Sequence, residues 1–203
     1  MANMNSTARR SPVQERSNVT VQQILRAASE LLATEPPERL TTSRVAQAAG
    51  VSVGGLYRFF PDKQAILDAI AIKHVDDLRH VLEEKLSIEL PADGSVLLSM
   101  IVDAYVAFLE ERPDFRSIAL GRHVSASAKN EQISADVGPA ALVRKFVLDQ
   151  MGMDVGDLDL RIRIASETGE RLIAYAFEQP RKDRGAVITE MKTMLARYIF
   201  REG

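Results

Sequence analysis

Apolar residues recur at helical spacing along almost the whole chain. The first group consists of Ile24, Leu25, Ala28, Leu31 and Leu32. This spacing predicts an amphipathic helix over about residues 21–34, because it places all five side chains on one helix face. Thr20 to Gln23 match the pattern of an N-terminal capping box, and Pro36-Pro37 would end the helix.

The rest of the chain continues the helical pattern. A long helix is expected from Asp62 to about residue 86, and its predicted buried face consists of Ile66, Ile70, His74, Leu78 and Val81. Further helices are expected over residues 95–111, 114–124, 130–151 with a kink at Gly138-Pro139, 160–178 and 184–200. The sequence contains neither a β pattern nor an internal repeat, so the predicted fold class is all-α.

Two short helices joined by a tight turn are predicted between the first helix and the long one. Thr41 or Thr42 can cap the first short helix, and Gly50 ends it because the turn needs a left-handed residue. Ser52 then caps a second helix, which is expected over residues 53–60. This order of helix, glycine turn and helix is the helix-turn-helix motif of DNA-binding proteins.

Several motifs around this turn match one known family. They are Ala49-Gly50-Val51-Ser52, Gly55-Leu56-Tyr57, Phe60 and Asp62-Lys63. In order and spacing they resemble the N-terminal domain of the TetR family of bacterial transcriptional regulators, and the matches run from Ile24 to Leu67. The resemblance implies an all-α protein with an N-terminal three-helix helix-turn-helix domain and a larger helical domain for ligand binding and dimerisation.

Ten residues are candidates for contact with DNA: Thr42, Ser43, Arg44, Ser52, Val53, Gly54, Gly55, Tyr57, Arg58 and Lys63. The resemblance places Tyr57 and Lys63 at positions that hold the DNA backbone in the family. Two adjacent glycines leave one helix face without side chains, so DNA can approach closely. Base recognition then falls on Val53, Arg58, Tyr57 and residues of the preceding helix such as Ser43. Arg58 suits either a guanine or a phosphate, and Phe59 suits either the core or the DNA-facing surface.

Charge is distributed unevenly, although the formal net charge is only −2. The first 63 residues carry eight Lys or Arg against five Asp or Glu, whereas the remainder carries eighteen against twenty-three. The basic excess therefore lies on the predicted DNA-binding part. The expected organisation is a flexible basic arm over residues 1–18, a helix-turn-helix domain over 19–63 and a ligand-binding and dimerisation domain over 64–203.

The N-terminal segment carries Arg9, Arg10 and Arg16, which suit either contact with a DNA minor groove or an inert tail. It lacks the apolar stretch of a signal peptide, and no apolar run in the chain approaches membrane-spanning length. The sequence contains no cysteine, which suits a reducing compartment. We therefore expect a cytoplasmic protein without a membrane partner.

The second predicted domain shows no catalytic or metal-binding motif. Its histidines are spaced poorly for sharing a metal ion, and no nucleophile-base pair or phosphate loop occurs, so neither an enzyme nor a cofactor is expected. A pocket for a small molecule would need apolar walls with a few polar groups. The candidates for its lining are His74, Met100, Tyr105, Phe108 and His123, although core packing explains the same residues.

The last two predicted helices have wide apolar faces that suit a four-helix homodimer interface, and the resemblance places the dimer contact there. The candidate interface residues are Ile164, Leu172, Ile173, Val187, Met191, Met194, Leu195 and Tyr198.

Three functions are compatible with these patterns. The first is a repressor that a small apolar or amphipathic effector releases from an inverted-repeat operator in double-stranded DNA. The second is a DNA-binding regulator controlled by a protein partner without a small molecule, and the third is a helical enzyme or binding module. A buried pocket would separate the first from the second, and sequence-specific DNA binding would separate both from the third.

Overall fold

Helices account for nearly all of the part of the chain that the computed structural model describes, which comprises residues 12–88, 91–121, 123–128, 139–151 and 155–200. The elements are α1 (Pro12–Leu32), a short 3-10 helix (Pro37–Arg39), α2 (Thr42–Ala49), α3 (Val53–Tyr57), α4 (Lys63–Ile88), α5 (Gly94–Glu111), α6 (Pro113–Leu120), α7 (Pro139–Met151), α8 (Val155–Glu178) and α9 (Arg181–Ile199). The all-α prediction is confirmed.

The N-terminal domain is built by α1, α2 and α3 around a shared apolar core. Its fully buried side chains come from all three helices and from the start of α4: they are Ile24, Ala28, Val45, Leu56 and Ile66. The helical spacing seen in the sequence is therefore the spacing of the buried face.

α1 begins earlier than expected, at Pro12 instead of residue 21. Thr20 lies inside the helix, so the predicted capping box was wrong. A proline in the first turn is favourable, and no glycine or second proline interrupts the residues that follow. Residues 12–18 of the expected arm are thus helical, whereas Arg9 and Arg10 lie outside the described residues and nothing is described of the Arg16 side chain.

α3 is shorter than expected because it ends at Tyr57 and not at residue 60. The amide groups of Phe59 and Phe60 both donate to the Leu56 carbonyl, at 2.9 and 3.0 Å, which tightens the end of the helix into a turn. Pro61 disfavours helical backbone at the residue before it, and two glycines weaken the helix from within.

α4 links the two domains, and its N-terminus was predicted correctly. The Asp62 carboxylate accepts from the Ala65 amide at 2.8 Å and caps the helix. Ile66 and Ile70 are buried in the first half, and Leu78 and Leu82 are buried in the second. One continuous apolar core therefore runs along α4 from the N-terminal domain into the second domain.

The second domain follows the predicted helix order with shifted boundaries. α6 ends at Leu120 rather than at residue 124, since Gly121 follows it. α8 begins at Val155, five residues earlier than expected, and α9 begins directly after Pro180. The predicted helix start at residue 130 and the kink at Gly138-Pro139 lie largely outside the described residues. α8 and α9 pack as an antiparallel pair, and α5 packs against α7 and α9.

Candidate functional site

The helix-turn-helix motif is fixed by three local interactions. Thr41 caps α2 by accepting from the Arg44 amide at 3.3 Å, and Ser52 caps α3 by accepting from the Gly55 amide at 3.0 Å. Gly50 ends α2 with φ +68°, in the left-handed region that favours glycine. These residues place α3 at the surface of the domain, where one of its faces is open to solvent.

Two hydroxyl groups meet on this open surface. Thr42 Oγ1 of α2 and Tyr57 Oη of α3 lie 3.0 Å apart. Tyr57 is 50% exposed, and Val53, one helix turn before it, is 40% exposed. The pair joins α2 to α3 and still presents hydrogen-bonding groups to solvent, so the arrangement is suited to phosphate contact.

The glycine pair leaves a gap between these side chains. A Cβ atom at Gly54 would meet no atom within 4 Å, whereas one at Gly55 would lie 3.0 Å from Ser52 Oγ. Gly54 is exposed. Nothing in the described part of the fold therefore requires glycine at position 54, and the open face that it leaves would allow close approach of DNA.

We expect Gly54→Ala to raise the free energy of unfolding by up to about 1 kcal/mol, because alanine favours helix more than glycine does. Affinity for DNA should fall, because the added methyl group occupies the open face. Urea denaturation and fluorescence anisotropy with a labelled duplex measure the two effects.

Gly185→Ala is the matched control. Gly185 is exposed in α9, and a Cβ atom there also meets nothing within 4 Å. This variant should gain stability without losing DNA affinity. Unchanged DNA binding by Gly54→Ala would show that Gly54 does not face DNA.

Arg58 and Ser43 are also exposed at this surface, whereas Phe59 and Phe60 are not. Within the described residues the Arg58 guanidinium makes no hydrogen bond or ion pair, so it is available to a ligand. Phe59 packs partly buried against the core, which resolves the alternative left by the sequence, and Phe60 is buried.

Arg44 and Lys63, both predicted to contact DNA, are held by the protein itself. Arg44 forms a bidentate ion pair with the Glu35 carboxylate at 2.5 and 2.9 Å and donates to the Arg39 carbonyl at 2.8 Å. These hydrogen bonds hold the pKa of Glu35 below its ordinary value. Lys63 Nζ donates to the Pro37 carbonyl at 3.2 Å. Both cations thus fix the connection between α1 and α2, a role that the sequence did not indicate.

Asp114 joins the second domain to α4 and α1. His74 Nε2 of α4 lies 2.8 Å from Asp114 Oδ2 at the start of α6, and Ser29 of α1 also bonds this carboxylate. Burial acts to raise the pKa of Asp114, but the hydrogen bonds from His74, the Phe115 amide and Ser29 hold it below its ordinary value. The Phe115 ring packs against His74 at a centroid distance of 5.1 Å.

A second contact between the domains lies after α6. His123 Nε2 lies 3.1 Å from Glu38 in the 3-10 helix. Gln64 Nε2 donates to the His123 carbonyl at 2.6 Å and to Asp68 Oδ1 at 2.9 Å, and the Ser125 amide donates to the same oxygen at 2.9 Å. The chain that follows α6 is therefore bound both to α4 and to the N-terminal domain.

The five predicted pocket residues lie in three different surroundings. His74 and Phe108 belong to a packed cluster with Phe115, and His123 faces the N-terminal domain. Met100 and Tyr105 are half-buried on α5, where burial and the neighbouring Glu170 raise the pKa of Tyr105. Core packing and domain contact explain most of these positions.

A cleft of about 430 Å³ opens elsewhere, between α6, α8 and the start of α9. Its walls include Arg116, Ser117, Leu120, Ala174, Phe177 and Arg184. None of them was among the predicted ligand residues, because they come from three separate helices and share no sequence motif.

The predicted dimer residues divide into two groups. Ile173, Met191 and Leu195 are buried in the core of the protomer, which corrects their assignment to a partner-facing surface. Leu172, Val187 and Tyr198 are half-buried, whereas Ile164 and Met194 are each 44% exposed. Helical periodicity identifies apolar faces but does not say which face meets the protein's own core.

Two further residues, which the predicted set omitted, extend the exposed apolar surface. Leu160 is 55% exposed and Tyr175 is 45% exposed. They lie four residues before and eleven residues after Ile164, so all three share one face of α8. This periodicity within the apolar residues was the signal that would have found them. We call Leu160, Ile164, Tyr175 and Met194 the exposed stripe.

The described part of the chain contains neither a metal site nor a membrane-spanning helix. No cluster of three His, Asp or Glu side chains there is arranged to hold a metal ion. None of its helices is both long enough and apolar enough to cross a lipid bilayer.

A helix-turn-helix with an open α3 face, joined through α4 to a larger helical domain, defines a DNA-binding protein. Residues 24–70 match the family model of bacterial regulatory proteins of the tetR family, and residues 95–202 match that of the tetracyclin repressor-like C-terminal domain. The chain therefore belongs to the TetR family and is a DNA-binding transcriptional regulator.

Solved structures agree with this assignment. A TetR-family transcriptional regulator from Streptomyces coelicolor is 25% identical, with a TM-score of 0.70 over 89% of this chain and 97% of its own. The regulator FadR from Bacillus subtilis, solved in complex with stearoyl-CoA, is 19% identical, with a TM-score of 0.67 over 88% of this chain and 98% of its own. The second likeness supports the fold alone.

Among curated proteins, the nucleoid occlusion factor SlmA from Alteromonas mediterranea is 30% identical over 99 residues. The match covers 49% of this chain and 50% of that protein. The chain thus spans about half the length of the curated relatives it matches.

Proposed function

We propose that this protein is a repressor that binds an inverted-repeat operator as a homodimer and is released by a small apolar or amphipathic molecule. The observation that carries the proposal is the open face of α3, where a glycine gap lies between the Thr42–Tyr57 pair, Val53 and the unpaired Arg58. In this proposal Tyr57, Thr42 and Ser43 contact the DNA backbone, and Val53 and Arg58 contact bases. Arg44 and Lys63 act mainly by positioning α2 and α4.

The exposed stripe supports a homodimer through α8 and α9. Its four apolar side chains are 44 to 55% exposed, and burial against a second copy would remove them from water. A two-fold dimer places two α3 helices in successive major grooves, about 34–36 Å apart, and so requires an inverted repeat.

The contacts of α6 supply a path between an effector site and the DNA-binding surface. Through Asp114 this helix bonds α4 and α1, and through His123 the following chain bonds the 3-10 helix. A shift of α6 would therefore move its contacts with α1 and the 3-10 helix, which belong to the N-terminal domain, and with α4, which follows that domain. The stearoyl-CoA complex of FadR is an example of a small-molecule ligand in a protein of this fold.

Reciprocal binding tests this release mechanism. An effector that favours the DNA-incompetent arrangement should weaken operator binding about 5–150-fold, and the operator must weaken effector binding by the same factor. The measurement is calorimetric titration of an effector, found by thermal-shift screening, with and without the operator duplex. Equal effector affinity in both titrations would contradict the mechanism and favour control by a protein partner.

The likeness to SlmA favours this second candidate, a DNA-binding regulator controlled by a protein partner without a small-molecule ligand. The name of these relatives describes a role in nucleoid occlusion rather than in transcription of a target gene. A screen that finds no effector, although the protein binds DNA, is the result that this candidate predicts.

A further inference from the structure

The cleft between α6, α8 and α9 holds more cationic groups than its own acceptors neutralise. Arg184 stacks over the Phe177 ring, with its Cζ atom 4.0 Å from the ring centroid, and the Arg116 Cζ atom lies 5.7 Å from the same centroid. Arg184 forms an ion pair with Glu110 at 2.7 Å, but its Nε atom is buried without a hydrogen-bond partner. The Arg116 guanidinium has no hydrogen-bond or ion-pair partner within the described residues.

The acidic residue in the cleft wall does not compensate for these arginines. Glu178 lies in the wall, yet its carboxylate pairs with Arg171 at 3.3 Å. The cleft is thus arranged to accept a group with negative charge.

The remaining walls suit an apolar body. Phe177, Leu120 and Ala174 supply apolar surface, and the volume of about 430 Å³ falls within the range of small-molecule sites. An aromatic ring and two guanidinium groups in one wall favour a flat partner, since guanidinium groups and aromatic rings stack on planar systems.

We propose that this cleft binds an aromatic carboxylate, whose carboxylate group pairs with the guanidinium groups of Arg116 and Arg184 while its ring system lies against the apolar wall. The inference rests on the proposed function, because it names the chemical class of the effector. α6 separates this site from Asp114: Arg116 and Leu120 line the cleft, and Asp114 bonds His74 of α4. An occupant of the cleft therefore contacts the helix that holds the N-terminal domain.

The test compares 1-naphthoate with 1-naphthamide, which has the same shape but no charge, by calorimetric titration of the full chain in the absence of DNA. The acid should bind at least about tenfold more tightly than the amide, because a charge-assisted hydrogen bond is worth more than a neutral one. Arg116→Gln should weaken the acid about tenfold or more and leave the amide unchanged.

Two further variants distinguish ligand contact from a structural role. Glu110→Gln removes the carboxylate that competes for Arg184, so the acid should bind about two- to fivefold more tightly. Arg163→Gln is the matched control, because Arg163 is an exposed arginine of α8 about 21 Å along the helix from Phe177. This control should leave the affinity for the acid unchanged.

Equal binding of acid and amide would overturn the proposal, as would a dissociation constant above about 1 mM for the acid or the same loss in Arg116→Gln and Arg163→Gln. Because these titrations contain no DNA, their failure leaves the repressor proposal standing. Conversely, a naphthoate that binds the cleft without changing operator affinity would contradict release by this ligand and leave the binding site intact.

Discussion

We expect the double variant Ile164→Glu, Met194→Glu to be a monomer. Its operator binding should be about 10²–10⁴-fold weaker than that of the unchanged protein. Both side chains are 44% exposed, so the substitutions should leave the protomer folded. In a dimer they would bury uncompensated charges, which is unfavourable. Each N-terminal domain would then bind its half-site alone and lose the gain in affinity that comes from linking two DNA-binding domains.

Sedimentation equilibrium at micromolar concentration and anisotropy with a two-half-site duplex measure these effects. Val96→Glu is the control, because Val96 is an apolar residue of α5 that is 50% exposed and lies outside α8 and α9. It should leave both the dimer and DNA affinity unchanged. A double variant that remains a dimer with full affinity would place the interface elsewhere.

Arg58→Ala is expected to lose about 1–3 kcal/mol of binding free energy at particular base pairs, and little at others. The reason is that the Arg58 guanidinium is exposed and unpaired beside the glycine gap, where it can reach base edges. The measurement is anisotropy against a set of duplexes with single base-pair changes.

Tyr57→Phe is the comparison for this prediction. The Tyr57 hydroxyl pairs with Thr42 and is assigned to the DNA backbone, so its removal should weaken all duplexes by a similar factor. If Arg58→Ala also weakens every duplex equally, then Arg58 contacts phosphate and the assignment of base recognition to it is wrong.

The local chemistry of the helix-turn-helix could be predicted from the sequence. Caps and turns depend on neighbouring residues, so Gly50, Ser52 and Asp62 were placed correctly. The end of α3 was not, because two glycines and a following proline shorten a helix whose apolar pattern continues to residue 60. The predicted start of α1 was also wrong, because the residues that match a capping motif lie inside a continuous helix.

Long-range partners could not be predicted. Arg44 reaches Glu35 and His123 reaches Glu38, and no periodic pattern connects these residues. Likewise, the burial of Met191 and the exposure of Met194 follow from how α9 packs on α8 and α5, which periodicity alone does not determine. The sequence therefore predicted the helical fold class and the helix-turn-helix. It predicted neither the position of the cleft nor which apolar residues of the last two helices are buried in the protomer and which are exposed.

Two copies of the α3 surface are proposed to bind an inverted repeat, and selection of bound duplexes from a random pool with the whole chain measures this binding. We expect enrichment of a two-fold symmetric site whose half-sites are centred about 34–36 Å apart. Recovery of asymmetric sites alone, or no enrichment over the starting pool, would contradict it.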